Sequence, residues 1–473
     1  MTPDELDELD RTDSPPAEEE QEQFDDENRL KAEFVRSVAQ ALEDGDDARV
    51  YELVEPLHPA DIADLFELLQ RDERAPLAKA ISDLMTGDVI AELNDYVRDD
   101  MMEALPPEAV AEIAEQLETD DAVQLIEDLD KEDQAAVLAE LDPEDRAAIE
   151  SALAYPNESA CRLMQRDLVA VPEHMTVGDL IDYLRENSRL TTEFWEVFVV
   201  DPQHRPIGTC QLSWILRTPR HVPLSDVMKR DQTLIPVTMD QEEVALRFQK
   251  YALISAAVVD EAGRLVGQLT VDDIIHIIQE EASEDIMRLS GAGDGDINEP
   301  ILLTVRSRLS WLVVNLGTAM VAASVVGMFQ GAISKFALLA VLMPIVSGMG
   351  GNAGTQTLAV VVRALATNQL TSSNTLRMIG RELRIALANG LSLGVLIGSG
   401  VTLVFHNPLL GAVIATAMVI NNLMAGFAGI MVPVTLERLR VDPAVSSAVF
   451  VTTATDVMGF FSFLGLAVLT GLG

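Results

Sequence analysis

Three patterns of apolar and polar positions follow one another along the chain. Between about 30 and 155, apolar residues recur every twelve positions: Leu57, Leu69, Ile81, Leu93, Leu105, Leu117, Leu129, Leu141 and Leu153. Several units open on a turn or cap signal, as in His58-Pro59, Pro106-Pro107-Glu108, Thr119-Asp120-Asp121 and Asp142-Pro143-Glu144. Proline and acidic residues suit a helix N-terminus, where amides lack partners and the dipole is positive. The spacing therefore predicts short stacked helices in a superhelical solenoid. On this segment alone, a solvated acidic scaffold that binds nothing is an equally good reading.

From 160 to 278 the pattern becomes a duplicated α+β unit. Met164-Gln165-Arg166-Asp167 recurs 64 positions on as Met228-Lys229-Arg230-Asp231. Val199-Val200-Asp201 and Ile207-Gly208 recur 59 positions on as Val258-Val259-Asp260 and Val266-Gly267. Each copy reads as a strand ending in a turn, a second strand and a helix. Beyond 301 the apolar runs are long enough to cross a bilayer, which takes about 20 helical residues. Five spans are expected, near 311–333, 336–362, 382–405, 409–435 and 444–470.

Charge divides the chain in the same place. Of 77 acidic and 33 basic residues, only four acids and nine bases lie beyond 301, which leaves 73 acids against 24 bases before it. Such a surface repels phosphates, so nucleic acid is not expected as a partner. Residues 1–29, nearly all acid, proline and serine at the start, are expected to be a disordered tail without the basic and apolar run of a signal peptide. Cys161 and Cys210 have no metal or disulfide spacing and read as reduced cytosolic residues. His174, His204 and His221 have no evident nucleophile nearby, so the chain does not read as an enzyme. Arg306, Arg308, Arg363, Arg377, Arg381, Arg384, Arg438 and Arg440 flank alternate span ends. The positive-inside rule then puts the N-terminal half in the cytosol and the C-terminus outside.

Candidate chemistry gathers at three places. On the helix expected from Asp273 to Met287, Glu280 with Glu284 and Glu281 with Asp285 are like-charge i,i+4 pairs, destabilising unless neutralised. Either the face is solvated or a divalent cation sits on it. In the second span, Pro344-x-x-x-Gly348-x-Gly350-Gly351-Asn352-x-Gly354-x-Gln356 is a packing seam or, because Asn352 and Gln356 share a face, a wet lining. In the last span, Thr452-Thr453-Ala454-Thr455-Asp456 holds the one carboxylate placed deep in a span, Glu382 and Glu437 being put at span ends. An intramembrane Asp is costly unless paired or wetted; it serves either a cation or a helix-gluing hydrogen bond. Oxygen ligands without Cys or His clusters suit hard cations, among which charge alone does not separate magnesium from calcium or manganese.

Two resemblances add to this. The duplicated unit resembles a tandem CBS-domain module, which makes Thr270-x-x-Asp273 either a ribose contact for an adenosine nucleotide such as ATP or a helix-capping pair. Gln211 and Trp214, the equivalents in the first copy, do not suit the ribose contact. The glycine-rich motif, Arg381-Glu382, Leu439-x-x-Asp442-Pro443 and the Thr-rich segment ending at Asp456 resemble the MgtE family of magnesium channels, over essentially the whole chain after about 30. That resemblance implies a 30–157 helical-repeat domain, tandem CBS domains at 158–272, a plug helix and linker at 273–300, and a five-helix transmembrane pore domain at 301–473. It implies a homodimer in the inner membrane, contacting lipid, that passes magnesium inward and closes when magnesium binds its cytosolic side. Asp456 and Asn352 would face the ion path, with Gly348, Gly351, Gln356 and Thr455 lining it. Regulatory magnesium would sit on Asp88, Asp120, Glu242, Asp273, Glu281, Glu284, Asp285 and Asp442. Gln124 and Ala252 stand where the family carries acids. A proton-coupled transporter and a non-conducting membrane-anchored sensor are the alternatives.

Overall fold

The computed structural model describes residues 23–102, 105–187, 194–291, 297–371, 373–445 and 447–472. They fall into two compact units, Met1–Ile278 and Gln279–Gly473. The expected acidic tail lies outside the described residues as far as 22. Residues 23–29, assigned to the same tail, instead form a turn closed by the Phe24–Leu30 bridge, because Phe24 and Leu30 both pack on the first core.

The first unit opens with helices α1 (Ala32–Asp44), α2 (Asp47–Val54), α3 (Pro59–Leu68), α4 (Arg71–Ala80), α5 (Gly87–Ala91), α6 (Asp95–Met102), α7 (Pro107–Ala114), α8 (Thr119–Asp128), α9 (Lys131–Glu140) and α10 (Pro143–Leu153). Apart from α1 and α5 their starts step by twelve, from 47 to 143, and the start missing at 83 falls on the short turn Ser82–Leu84. The apolar period is thus the period of the backbone. Local chemistry sets each start: Asp46 caps α2 through the Arg49 amide, Asp130 caps α9, and Pro59, Pro107 and Pro143 occupy first turns. Leu57, Leu69, Ile81, Leu93 and Leu141 are buried at the joints between helices, whereas Leu105, on the same spacing, is 39 % exposed.

Two three-stranded sheets follow, β1 (Ala170–Pro172), β2 (Glu196–Val200) and β3 (Pro206–Gln211), then β4 (Leu234–Pro236), β5 (Ser255–Val259) and β6 (Leu265–Thr270). In both, the first pair is parallel and the second antiparallel, with the same register shift at Val199/Val200 and Val258/Val259. The duplication is exchanged across the pair: Gln165 bridges to Gln268 of the second sheet, and Lys229 to Thr209 of the first. A Cβ on Gly267 would lie 2.7 Å from Met164 Sδ, and one on Gly208 would lie 2.9 Å from Met228 Sδ. The repeated glycines make room for the repeated methionines. Helices α11 (Val177–Glu186), α12 (Leu212–Ile215), α13 (Leu224–Val227) and α14 (Gln241–Tyr251) complete the two copies, and α15 (Val271–Ser290) leaves the second.

The second unit holds the end of α15, then α16 (Ile301–Met328), the short α17 (Gln330–Lys335), α18 (Leu338–Ala366), α19 (Thr375–Phe405), α20 (Pro408–Arg438) and α21 (Ser447–Leu469). Apart from α15 and α17, these five are long and apolar enough to cross a membrane. Helix α20 is the most buried of them and α16 the least, so α20 is the element around which α18, α19 and α21 pack. Helix α19 begins seven residues before the expected start of the third span, which puts Glu382 two turns inside the helix and 5 % exposed.

Candidate metal centre and ion path

In the first unit, the start of α8 and the start of α15 bring carboxylates together. The N-terminal turn of α8 carries Asp120 and Asp121 after Glu118, and Asp273 lies in the first turn of α15. Gln165 ties them, its Nε2 donating to Asp273 Oδ2 at 3.0 Å and to Glu118. The Thr270 hydroxyl donates to Asp273 Oδ2 at 2.5 Å. Thr270 is buried and committed to this bond, which is the geometry of a helix-start cap.

Burial, then the charge of Asp273, pushes the Glu118 carboxyl up to about 7. Burial likewise raises Asp273 to about 6, with Asp272 and Asp121 adding to the rise. Asp120 is driven well above the carboxylate range by burial and by Asp273, Asp121 and Glu118, and its Oδ1 is buried without a hydrogen-bond partner. Asp121 is raised by burial against the opposing pull of Arg98, with Glu92 and Asp88 contributing. An orphaned carboxylate oxygen among several others fits a hard divalent cation. Of the residues expected to bind magnesium here, Asp88, Asp120 and Asp273 thus share one electrostatic neighbourhood; Glu242 stands exposed in the first turn of α14.

In the second unit, the C-terminal half of α15 meets the loop before α21. Arg288 Nη1 lies 2.6 Å from Asp442 Oδ2 and also pairs with Glu284 one turn back. The like-charge strain expected on this helix is therefore partly relieved by Arg288, which the sequence reading had not weighed. Asp285 is raised to about 6 by burial, then by Asp442 and Glu281. Asp285 thus has Asp442 and Glu281 as electrostatic neighbours, and Arg288 links Glu284 to Asp442.

In the membrane-spanning helices, Asp456 sits mid-way along α21, half-buried, and the Ser347 hydroxyl of α18 donates to its Oδ1. Among the described residues it has no ion pair. Thr455 is buried, Gly351 faces Thr452 across the same seam, and Gly348 and Asn352 are exposed on α18. Gln356 lines a cavity with Arg381, Glu382 and Asn422 instead of joining Asp456.

Two residues that sequence reasoning missed hold this region. Asn421, wholly buried, donates Nδ2 to the Val346 carbonyl at 2.8 Å. A Cβ on Gly350 would lie 2.0 Å from that Nδ2, and one on Gly459 would lie 2.8 Å from it. One side chain of α20 is therefore clamped between α18 and α21. Ser347 is the other. Adjacent asparagines in an otherwise apolar span were the available signal for Asn421; nothing marked Ser347.

Residues 343–466 match a family described as divalent cation transporters, MgtE, residues 57–158 the MgtE intracellular N domain, and residues 160–210 and 224–280 CBS domains. Magnesium transporter MgtE of Thermus thermophilus is 32 % identical over 463 residues, covering 93 % of this chain and 98 % of that protein. The chain belongs to the MgtE family. Magnesium transporter MgtE of Bacillus subtilis is 31 % identical over 314 residues, 66 % of this chain and 70 % of its own. A solved cytosolic domain of the Mg2+ channel MgtE in complex with ATP is 30 % identical, with a TM-score of 0.47, over 51 % of this chain and 99 % of that one. MgtE membership accounts for this architecture: an N domain, a CBS pair and an apolar five-helix region in a family of divalent cation transporters.

Proposed function

We propose that this MgtE protein is a homodimeric magnesium channel of the inner membrane, passing Mg2+ inward past Asp456 and closing when cytosolic Mg2+ fills its acidic clusters. The observation that carries this is Asp456, a mid-span carboxylate that accepts from a serine hydroxyl and, among the described residues, has no ion pair. Its charge needs a mobile cation. Magnesium sheds its water reluctantly, so one carboxylate and neutral oxygens per chain suit a hydrated ion. Exposed Asn352 and Gly348 on the single chain support a lining shared with a second copy, and the arginines at alternate span ends support a cytosolic N-terminal half.

Closure follows from electrostatics. Two unscreened charges about 4 Å apart cost about 4 kcal/mol at an effective dielectric near 20, so a few bridged carboxylate pairs bias a two-state gate. The clusters at Asp120–Asp273 and Asp285–Asp442 supply such pairs. ATP at the CBS pair would compete with Thr270 for the Asp273 carboxylate.

The test is Mg2+ flux into liposomes as the Mg2+ on the cytosolic face is raised. Suppression that weakens in Asp120→Asn and Asp273→Asn, with maximal flux retained, supports the reading. Suppression identical to the parent in both variants contradicts it. Flux that stops on collapsing a proton gradient would favour the proton-coupled alternative.

A further inference from the structure

A cavity of mixed polar and apolar lining opens among the spanning helices, and Asp456 is not part of its wall. It measures about 230 Å³ and lies between α18, α19 and α20, which is room for several water molecules. Its walls include Glu382 and Asn389 from α19, Gln356 and Thr357 from α18, and Asn422 from α20. Small residues bring these groups together. A Cβ on Gly426 would sit 2.8 Å from Ala386 Cβ, and one on Gly390 would sit 3.2 Å from Asn422 Cβ, so α19 and α20 touch at the level of Glu382 and Asn422.

Two features point to a ligand. Glu382 is a carboxylate 5 % exposed, and it pairs with Arg381 Nη1 at 2.9 Å, a side chain that is itself 61 % exposed. Asn422 is fully buried; its Nδ2 donates to the Met418 carbonyl, but its Oδ1 is buried without a hydrogen-bond partner. A buried carboxylate whose partner is largely exposed and a carboxamide oxygen without a donor both leave negative charge unsatisfied. The walls hold one carboxylate, three carboxamides and a hydroxyl, an oxygen set for a hard, hydrated cation. An anion is disfavoured by the buried Glu382.

We infer that this cavity is a further divalent-cation site, in which Glu382 supplies the charge, Asn389, Gln356 and Thr357 hold the ion's water, and Arg381 is a built-in counter-ion that swings out on loading. The cation's identity rests on the proposed magnesium function; the site itself does not require conduction. Arg381 makes the site selective for double charge, because a divalent ion outbids a guanidinium that a monovalent ion only matches.

The test uses full-length protein in nanodiscs, Mn2+ as the paramagnetic probe, and a nitroxide on Val360→Cys. Val360 lines the cavity and is 49 % exposed, while Cys161 and Cys210 are buried. Mn2+ should broaden the nitroxide spectrum, Glu382→Gln should abolish the broadening, and Asp456→Asn should leave it. Arg381→Ala, which keeps Glu382, should lower the Mn2+ concentration for half-broadening by about tenfold. No broadening in the parent, broadening that survives Glu382→Gln, or broadening lost with Asp456→Asn overturns the inference. Flux unaffected by Asp456→Asn would instead overturn the proposed ion path, and the nitroxide signal would still report the cavity.

Discussion

Arg288 of the α15 helix and Asp442 of the loop before the last span are joined by a 2.6 Å ion pair, and Glu284 shares the same guanidinium. A fixed positive charge thus occupies two of the carboxylates that the gating proposal assigns to magnesium. Protein and metal compete for them. In Arg288→Ala both acids are freed, and Mg2+ should suppress flux at a several-fold lower concentration. Liposome flux against cytosolic Mg2+ measures the midpoint; a midpoint that rises would mean the arginine itself holds the closed state.

The Glu118–Asp273 cluster sets a pH dependence whose sign is fixed by raised carboxyls. A carboxyl lifted by folding leaves stability intact while it is protonated, and that contribution is lost as pH rises through the folded value. For Asp273 and Glu118 those values are about 6 and about 7. With divalent ions chelated, the protein should therefore melt at a lower temperature at pH 8 than at pH 5. Added Mg2+ should recover more at pH 8, where the acids are ionised. Glu118→Gln with Asp273→Asn should flatten the chelated profile, which separates the cluster from the general repulsion of an acidic chain. Differential scanning fluorimetry reads all of these; a slope unchanged by the double substitution contradicts the assignment.

Clamping of Asn421 between Gly350 and Gly459 makes a packing test. Gly350→Ala would put a methyl group 2.0 Å from Asn421 Nδ2, and overpacking of this kind costs about 1–3 kcal/mol. Pairing Gly350→Ala with Asn421→Ala removes the clash and should recover part of the loss, since contacting sites are not additive. Thermal unfolding in detergent measures it; strictly additive losses would show that the clamp is absent.

Much of this was legible beforehand because it is periodic. The twelve-residue spacing from Leu57 to Leu153 is the helix repeat, the 64- and 59-residue offsets are the two sheets, and the runs of apolar residues beyond 301 are the five long helices. Periodicity reports the backbone and one face of each element. It is silent on which distant side chains meet. Gln165 as the link between Glu118 and Asp273, Arg288 as the counter-charge to Asp442, and Asn421 as a three-helix clamp all depend on packing between segments remote in sequence. The start of α19 was hidden for a simpler reason: Arg377, Arg381 and Arg384 read as a loop, whereas the helix continues through them and buries Glu382.

Most depends on the carboxylate at 456, and replacing one of its oxygens isolates the charge. Asp456→Asn keeps Oδ1 for the Ser347 hydroxyl, so the fold should persist and only the negative charge is lost. Radiotracer or dye-reported Mg2+ entry into liposomes, with melting temperature as the control, should fall by at least about tenfold while melting stays near that of the parent. Mg2+ entry at the parent rate in a correctly folded Asp456→Asn protein would remove that carboxylate from the ion path.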